Sequence, residues 1–222
     1  MIRLLSAIAA VAILAIGGFM FLGPRDRGAL PENPMVGAAD AQSDKVDTSG
    51  VVEMTLGDPA APVTVIEYAS FTCSHCADFH EGSYKKLKAE YIDTGKVHFI
   101  YRDVYFDKFG LWAAMVARCE PAKFFGVSDL IYKSQSDWTR AGEPAAIVAE
   151  LRKIGRLAGL SDERLDACMQ DAANAETLVA WYQDNATRDG VEGTPSFIIN
   201  GEKVANQAWD SFKAIIDAEL AK

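Results

Sequence analysis

The chain has 222 residues, half of them apolar, which is enough for one sizeable core with an insertion but not for two large independent domains. Its 22 Lys and Arg against 31 Asp and Glu give a net charge of -9, with no basic cluster able to track phosphates, so nucleic acid is excluded as an expected partner. Four cysteines are too few for a disulfide scaffold at this length, and each needs its own reading.

In chain order, the uncharged run Leu4 to Leu22 comes first, followed by the breaker "GPRDRG". At about 1.5 Å per residue it is long enough to cross a hydrocarbon core of about 30 Å, whereas the apolar part of a signal peptide spans about 7 to 15 residues. Residues 1–23 are therefore expected to be a membrane anchor. The "ADA" at Ala39 to Ala41 keeps a cleaved signal as the alternative. Arginines on both flanks, Arg3 against Arg25 and Arg27, leave the orientation open. With either segment the rest of the chain is expected to work outside the cytoplasm, where disulfides persist. Residues 24–50, rich in Gly, Pro, Asp and Ser and without period, read as a flexible linker. No internal repeat is visible.

The folded part is expected over 51–222. "VVEMTLG" is a short β-prone segment, "DPAAP" a turn, and Val63 to Phe71 a buried strand rich in β-branched and aromatic residues. A helical period then sets in, with Cys76, Phe79, Ser83, Leu87 and Tyr91 on one face, Thr72 as the expected N-cap and Cys73 in the first turn. Lys96 to Val104 is a second strand, so strand, helix and strand predict a parallel crossover unit. Helical patterns fill about 106–190: Trp112, Met115, Val116 and Cys119 share one face, Pro144 opens another helix, Ser161 caps a third, and Gly190 stops the last. Thr194 to Asn200 is a strand, "NG" at Asn200-Gly201 a hairpin turn, and the amphipathic C-terminus closes the chain with Phe212, Ile215, Ile216 and Leu220 inward.

The chemistry concentrates in "SFTCSHCADFH", Ser70 to His80. A cysteine at a helix N-terminus faces unpaired N–H groups and the positive end of the dipole, both of which favour thiolate, and a protonated His75 adds charge. Cys73 is thus the expected nucleophile. Cys76, one turn further in, is expected to stay protonated by burial and to act as the resolving thiol. Three readings compete. A metal could use Cys73, Cys76 and His80, but a closed site needs a fourth ligand, Cys119 and Cys168 lie in separate helices, and His98 is a lone strand histidine; no metal is expected. A structural brace is weak because so small a ring restrains little chain. Electron transfer remains.

The stretch "GDPAAPVTVIEYASFTCSHC", with Glu67 six residues before Cys73, the helical insertion and "GTPSF" before the last hairpin, resembles the DsbA family of thioredoxin-fold thiol-disulfide oxidoreductases over roughly Val51 to Lys222. The resemblance implies an α/β fold, the thioredoxin fold with an inserted all-helical subdomain, and a dithiol that needs no cofactor. It implies that Thr194-Pro195 is cis and docks an extended client chain beside the thiolate. It also implies that Glu67 relays a proton to the buried thiol. Exported proteins with free thiols would be clients, and a redox partner, membrane-bound in the expected arrangement, would reset the pair. Ser74 departs from the proline often found there, so oxidising strength does not carry over. Thr194 also resembles isomerase relatives, which leaves reductase or isomerase as the near alternative and a metal-binding or chaperone module as the distant one. An exported location also favours a structural disulfide between Cys119 and Cys168 over two buried free thiols.

Overall fold

Five strands carry the site. β1 (Met54–Leu56) is short and lies at an edge, while β2 (Val63–Ala69) and β3 (Val97–Asp103) bring the β-branched and aromatic side chains that suit a buried pleated surface. β4 (Ser196–Ile199) and β5 (Glu202–Ala205) form the hairpin, its turn holding Asn200 at φ 46° and Gly201 at φ 89°, the left-handed pair that a two-residue turn requires. The order is β1-β3-β2-β4-β5, with β2 and β3 parallel and every other pair antiparallel. These coordinates come from a computed structural model that describes residues 45–222, so the anchor or signal and most of the linker expected from the sequence lie outside the described residues. Among the described residues, no helix is long and apolar enough to cross a membrane.

The crossover between β2 and β3 departs from the single helix that its periodicity predicts. α1 (Ser74–Glu81) ends at Gly82, whose backbone (φ -116°, ψ -88°) leaves helical space, and α2 (Ser83–Leu87) then passes into a π-helical turn at Lys88–Ile92. Cys76, Phe79, Leu87 and Tyr91 are buried as the pattern requires, while Ser83 is only half-buried. The N-cap also moves. Cys73, not Thr72, occupies it with extended backbone (φ -86°, ψ 119°), because its N–H closes a turn onto the Ser70 carbonyl at 3.1 Å. Thr72 Oγ1 lies 3.2 Å from Ser70 Oγ instead.

Between β3 and β4 the chain is helical: α3 (Lys108–Arg118), a 3-10 turn at Pro121–Lys123, α4 (Phe124–Lys133), α5 (Gln135–Trp138), α6 (Pro144–Leu157), α7 (Asp162–Met169) and α8 (Ala172–Arg188). Asp107, Ser161 and Asp171 cap α3, α7 and α8 by accepting main-chain N–H bonds. Gly155 of α6 lets Leu165 of α7 approach so closely that a Cβ there would stand 2.6 Å from Leu165 Cδ2. Arg118 anchors this lobe to the sheet, donating from Nε to Asp103 at 2.6 Å and from Nη1 to the Val52 carbonyl at 2.9 Å. α9 (Trp209–Leu220) closes the chain with Phe212 and Ile216 buried and Ile215 and Leu220 half-buried.

The sheet divides the core in two. By the two-residue period of a strand, Val63, Val65, Glu67 and Ala69 of β2 share one face, and Val63, Val65 and Ala69 join the large cluster with Cys76, Phe79 and Leu87. Tyr68 turns the other way, toward Val104, Ala186 and Ile198. Glu67 is therefore a carboxylate in a row of main-core side chains.

Candidate active site

The turn that leaves β2 delivers Cys73 to the start of α1, half-buried, and Cys76 one turn later, fully buried. Thr194 and Pro195, joined by a cis peptide bond just before β4, stand across from them, and the Cys73 Sγ lies 3.4 Å from the Thr194 carbonyl oxygen. The two thiols are both free. They titrate in opposite directions. Cys73 is lowered from 9.0 to about 5, first by the hydrogen bond that the Cys76 thiol donates to its sulfur, then by the Thr194 hydroxyl and the main-chain N–H groups of Cys76 and His75, all against the opposing effect of burial. Cys76 is pushed far up, chiefly by burial, then by its bond to Cys73 and by the charges of Glu67 and Cys73.

Thr194 bears on both protonation states. A thiol at Cys73 can donate to the Thr194 carbonyl, but a thiolate cannot. The Thr194 hydroxyl is sealed from water and makes no hydrogen bond in the neutral-thiol geometry, although it is among the groups that favour the thiolate. It is the donor left over for the charged sulfur. His75 reaches the site through its backbone N–H; its ring is mostly exposed, with Nδ1 4.0 Å from Asp78.

Glu67 is fully buried on β2 opposite Tyr101 and Phe197. Its two carboxylate oxygens lie 3.1 and 3.0 Å from Nε2 of His80, itself buried on α1. The His80 ring stacks on Tyr132 with centroids 4.2 Å apart, and the Tyr132 hydroxyl meets that of Tyr101 at 2.7 Å. His80, considered from the sequence only as a metal ligand, is thus the partner of Glu67. Four residues after Cys76, it shares that residue's helix face, a spacing visible in the sequence. Among the described residues no group of three or more metal-ligating side chains is gathered, and His98 stands half-buried on β3.

A second residue escaped sequence reasoning. Gln135, at the start of α5, donates through Nε2 to the carbonyls of Phe71 at 2.8 Å and Cys73 at 2.9 Å, so the helical lobe holds the turn that presents the nucleophile. Gly110 of α3 packs on the same turn; a Cβ there would stand 3.4 Å from both Ser70 Oγ and Thr72 Oγ1. Away from the site, Cys119 at the end of α3 and Cys168 on α7 form a disulfide with Cα atoms 5.5 Å apart.

An accessible sulfur that favours thiolate, beside a sealed one that keeps its proton, is suited to nucleophilic exchange with a disulfide. Comparison with known proteins agrees with this. The sequence family described as Thioredoxin matches residues 49–218. A Rickettsia bellii protein named "Putative protein-disulfide oxidoreductase" is 34% identical over 170 residues, which are 76% of this chain and 64% of that protein; the chain thus spans a little under two thirds of its length. Among solved structures, alpha-DsbA1 of Wolbachia pipientis superposes with a TM-score of 0.69 at 29% identity, covering 76% of this chain and 91% of the other. A protein-disulfide isomerase from Novosphingobium aromaticivorans does so with a TM-score of 0.69 at 28% identity, covering 77% and 98%.

Proposed function

The chain belongs to the thioredoxin family, among its DsbA-like members, and from that premise we propose that it introduces disulfide bonds into exported proteins by exchange at Cys73 and Cys76. The observation that carries this reading is the placement of the two sulfurs, Cys73 half-buried at the N-cap of α1 beside the cis Thr194-Pro195 bond and Cys76 sealed one turn on, which favours thiolate at the first and thiol at the second and makes Cys73 the group attacked by clients and the one that leaves as a stable thiolate. In the oxidised form a client thiolate attacks Cys73 Sγ, a client–Cys73 bond forms, and the Cys73–Cys76 bond breaks with its electron pair on Cys76. A second client thiolate then attacks the client sulfur of the mixed disulfide, and Cys73 departs as a thiolate. Thr194 and Pro195 dock the client backbone, Glu67 exchanges a proton with Cys76, and His75 sets the poise through its main-chain N–H and, when protonated, through its exposed ring.

Work outside the cytoplasm, in a periplasm or an equivalent compartment, follows from the same reading, with residues 4–22 as tether or signal and a membrane-bound redox partner to reoxidise the dithiol. No organic cofactor enters the scheme. The disulfide between Cys119 and Cys168 serves as a structural brace. The isomerase named among the structural relatives, together with Thr194 before the proline, favours reductase or isomerase as the second reading.

The test is the oxidation of a reduced dithiol peptide by the protein and by Cys73→Ser, with the equilibrium potential of Cys73 and Cys76 measured against glutathione. Loss of activity in the variant and a potential well above that of thioredoxin, about -270 mV, are expected. Retained activity would sink the assignment of Cys73, and a potential near thioredoxin's would move the function to reduction.

A further inference from the structure

Gln135 reaches the exchange site from the helical lobe, and its partners fix what it does there. It opens α5, half-buried, and its Nε2 donates one N–H to the Phe71 carbonyl at 2.8 Å and the other to the Cys73 carbonyl at 2.9 Å. Two neighbouring carbonyls can be served only by the nitrogen end of the amide, and both of its donors are then used. Phe71 is buried, and among the described residues no main-chain N–H reaches its carbonyl, so Gln135 supplies the partner that a buried oxygen needs. The lobe in turn holds Gln135. Thr139 returns two bonds to the Gln135 main-chain carbonyl, from N at 3.0 Å and from Oγ1 at 2.6 Å, and Tyr132 of α4 lies against Phe71 with ring centroids 4.9 Å apart. The Cys73 carbonyl also accepts the first main-chain bonds of α1, from Cys76 and Ala77, both at 3.2 Å. These are longer than the roughly 2.9 to 3.0 Å usual for N–H···O, so the bond from Gln135 is the shortest on that oxygen. A loosely held N–H at Cys76 stays available to the sulfur. After the Cys76 thiol and the Thr194 hydroxyl, it is among the groups that favour a thiolate at Cys73.

We propose that Gln135 is a positioning residue of the exchange reaction: one amide on the helical lobe, spanning the Phe71 and Cys73 carbonyls, sets the direction in which the Cys73 sulfur is presented to an incoming thiolate. This rests on the reading of Cys73 and Cys76 as an exchange pair. Displacement at sulfur needs the incoming, central and leaving sulfurs close to one line, and a misplacement of about 1 Å can cost about a hundredfold in rate. In the step itself the bond from the incoming sulfur to Cys73 forms as the Cys73–Cys76 bond breaks, with its electron pair passing to Cys76. The incoming sulfur is oxidised and Cys76 is reduced, while Gln135 gains and loses nothing. Its contribution is geometric. By tying the peptide groups of Phe71 and Cys73 to one planar group, it fixes the turn before α1 and the first N–H groups of the helix with it. The inserted lobe is thereby part of the exchange machinery as well as its cover.

The test is the single-turnover reduction of the oxidised protein by glutathione at neutral pH, together with the thiolate absorbance of Cys73 in the reduced protein. Gln135→Met keeps the length and bulk of the side chain but has no donor. It is expected to slow the reaction at least about tenfold and to move the thiolate midpoint of Cys73 upward. Thr139→Val removes the hydroxyl bond to Gln135 yet leaves the main-chain bond and the amide in place, and is expected to keep the wild-type rate and midpoint. A folded Gln135→Met with the wild-type rate or the wild-type midpoint would overturn the assignment, as would an equal loss in Thr139→Val. On the unsubstituted protein, the side-chain amide protons of Gln135 are expected to exchange slowly with water and to shift in NMR spectra as Cys73 is titrated. Amide protons that exchange as fast as those of an exposed glutamine, or that ignore the titration, would overturn it even if Gln135→Met fails to fold. A wild-type protein that does not exchange with glutathione at all would overturn the proposed function and this role with it, whereas an active wild type matched by Gln135→Met removes only the role of Gln135.

Discussion

At Cys73 the sulfur gathers donors from Cys76, Thr194 and two main-chain N–H groups and titrates at about 5, while Cys76, the same residue type one helical turn on, loses water and keeps its proton. Alkylation of the reduced protein is therefore expected to label Cys73 with a midpoint near 5 and to leave Cys76 unlabelled through neutral pH. Thr194→Val removes the hydroxyl donor but leaves the main-chain carbonyl, so it is expected to raise the Cys73 midpoint above about 5 without unfolding the protein, as read by thiolate absorbance; an unmoved midpoint would show that the hydroxyl never reaches the sulfur. The dithiol was legible because its chemistry is local, written in a three-residue spacing, and the cis bond at Pro195 was legible through the family resemblance that "GTPSF" helps to carry. His80 and Gln135 were harder. Each acts through a partner on another element, Glu67 for one and the carbonyls of Phe71 and Cys73 for the other, and nothing in the local pattern around Gln135 announces a contact made 62 and 64 residues away.

Among the elements, β2 and β3 were read to within two residues because they are buried and rich in β-branched side chains, while the β-prone segment at 51–57 shrinks to the three residues of β1. The run from Cys76 to Tyr91 misled, since a helical period is kept by any break that restores the same face. Gly82 and the π-helical turn interrupt the helix and still bury Phe79, Leu87 and Tyr91. Cys119 and Cys168 tie α3 to α7 across a separation of 49 residues. In the loop-entropy account a crosslink of that span constrains the unfolded chain by about 4 kcal/mol. Replacing both by alanine is expected to lower stability toward urea by roughly 2 to 4 kcal/mol while the alkylation midpoint of Cys73 stays in place. A shift of that midpoint in the double variant would show that the brace also shapes the active-site turn, through Gln135 and the lobe that carries it.

For the molecule as a whole, oxidising strength is a difference in stability between two folded forms. Closing Cys73 to Cys76 makes a ring so small that it removes little entropy from the unfolded chain. Reduction, by contrast, creates a Cys73 thiolate that the fold stabilises and the unfolded chain does not, because the folded value near 5 lies below the ordinary 9.0. A depressed value of this kind contributes fully above about pH 9, grows less as pH falls, and is gone below about pH 5. The reduced protein is therefore expected to be the more stable form at neutral pH, with its lead over the oxidised form narrowing as pH drops from about 9 to about 5. Urea midpoints of both forms, taken at several pH values, measure this directly, and Cys73→Ser should lack the pH-dependent part that the reduced wild type shows. By the thermodynamic cycle linking folding to reduction, a protein whose reduced form is the more stable one is, when oxidised, a stronger oxidant than an unfolded disulfide. If the oxidised form proves the more stable one at neutral pH, the same dithiol gives up electrons to its clients, and the sealed Cys76, with its buried carboxylate, serves reduction instead.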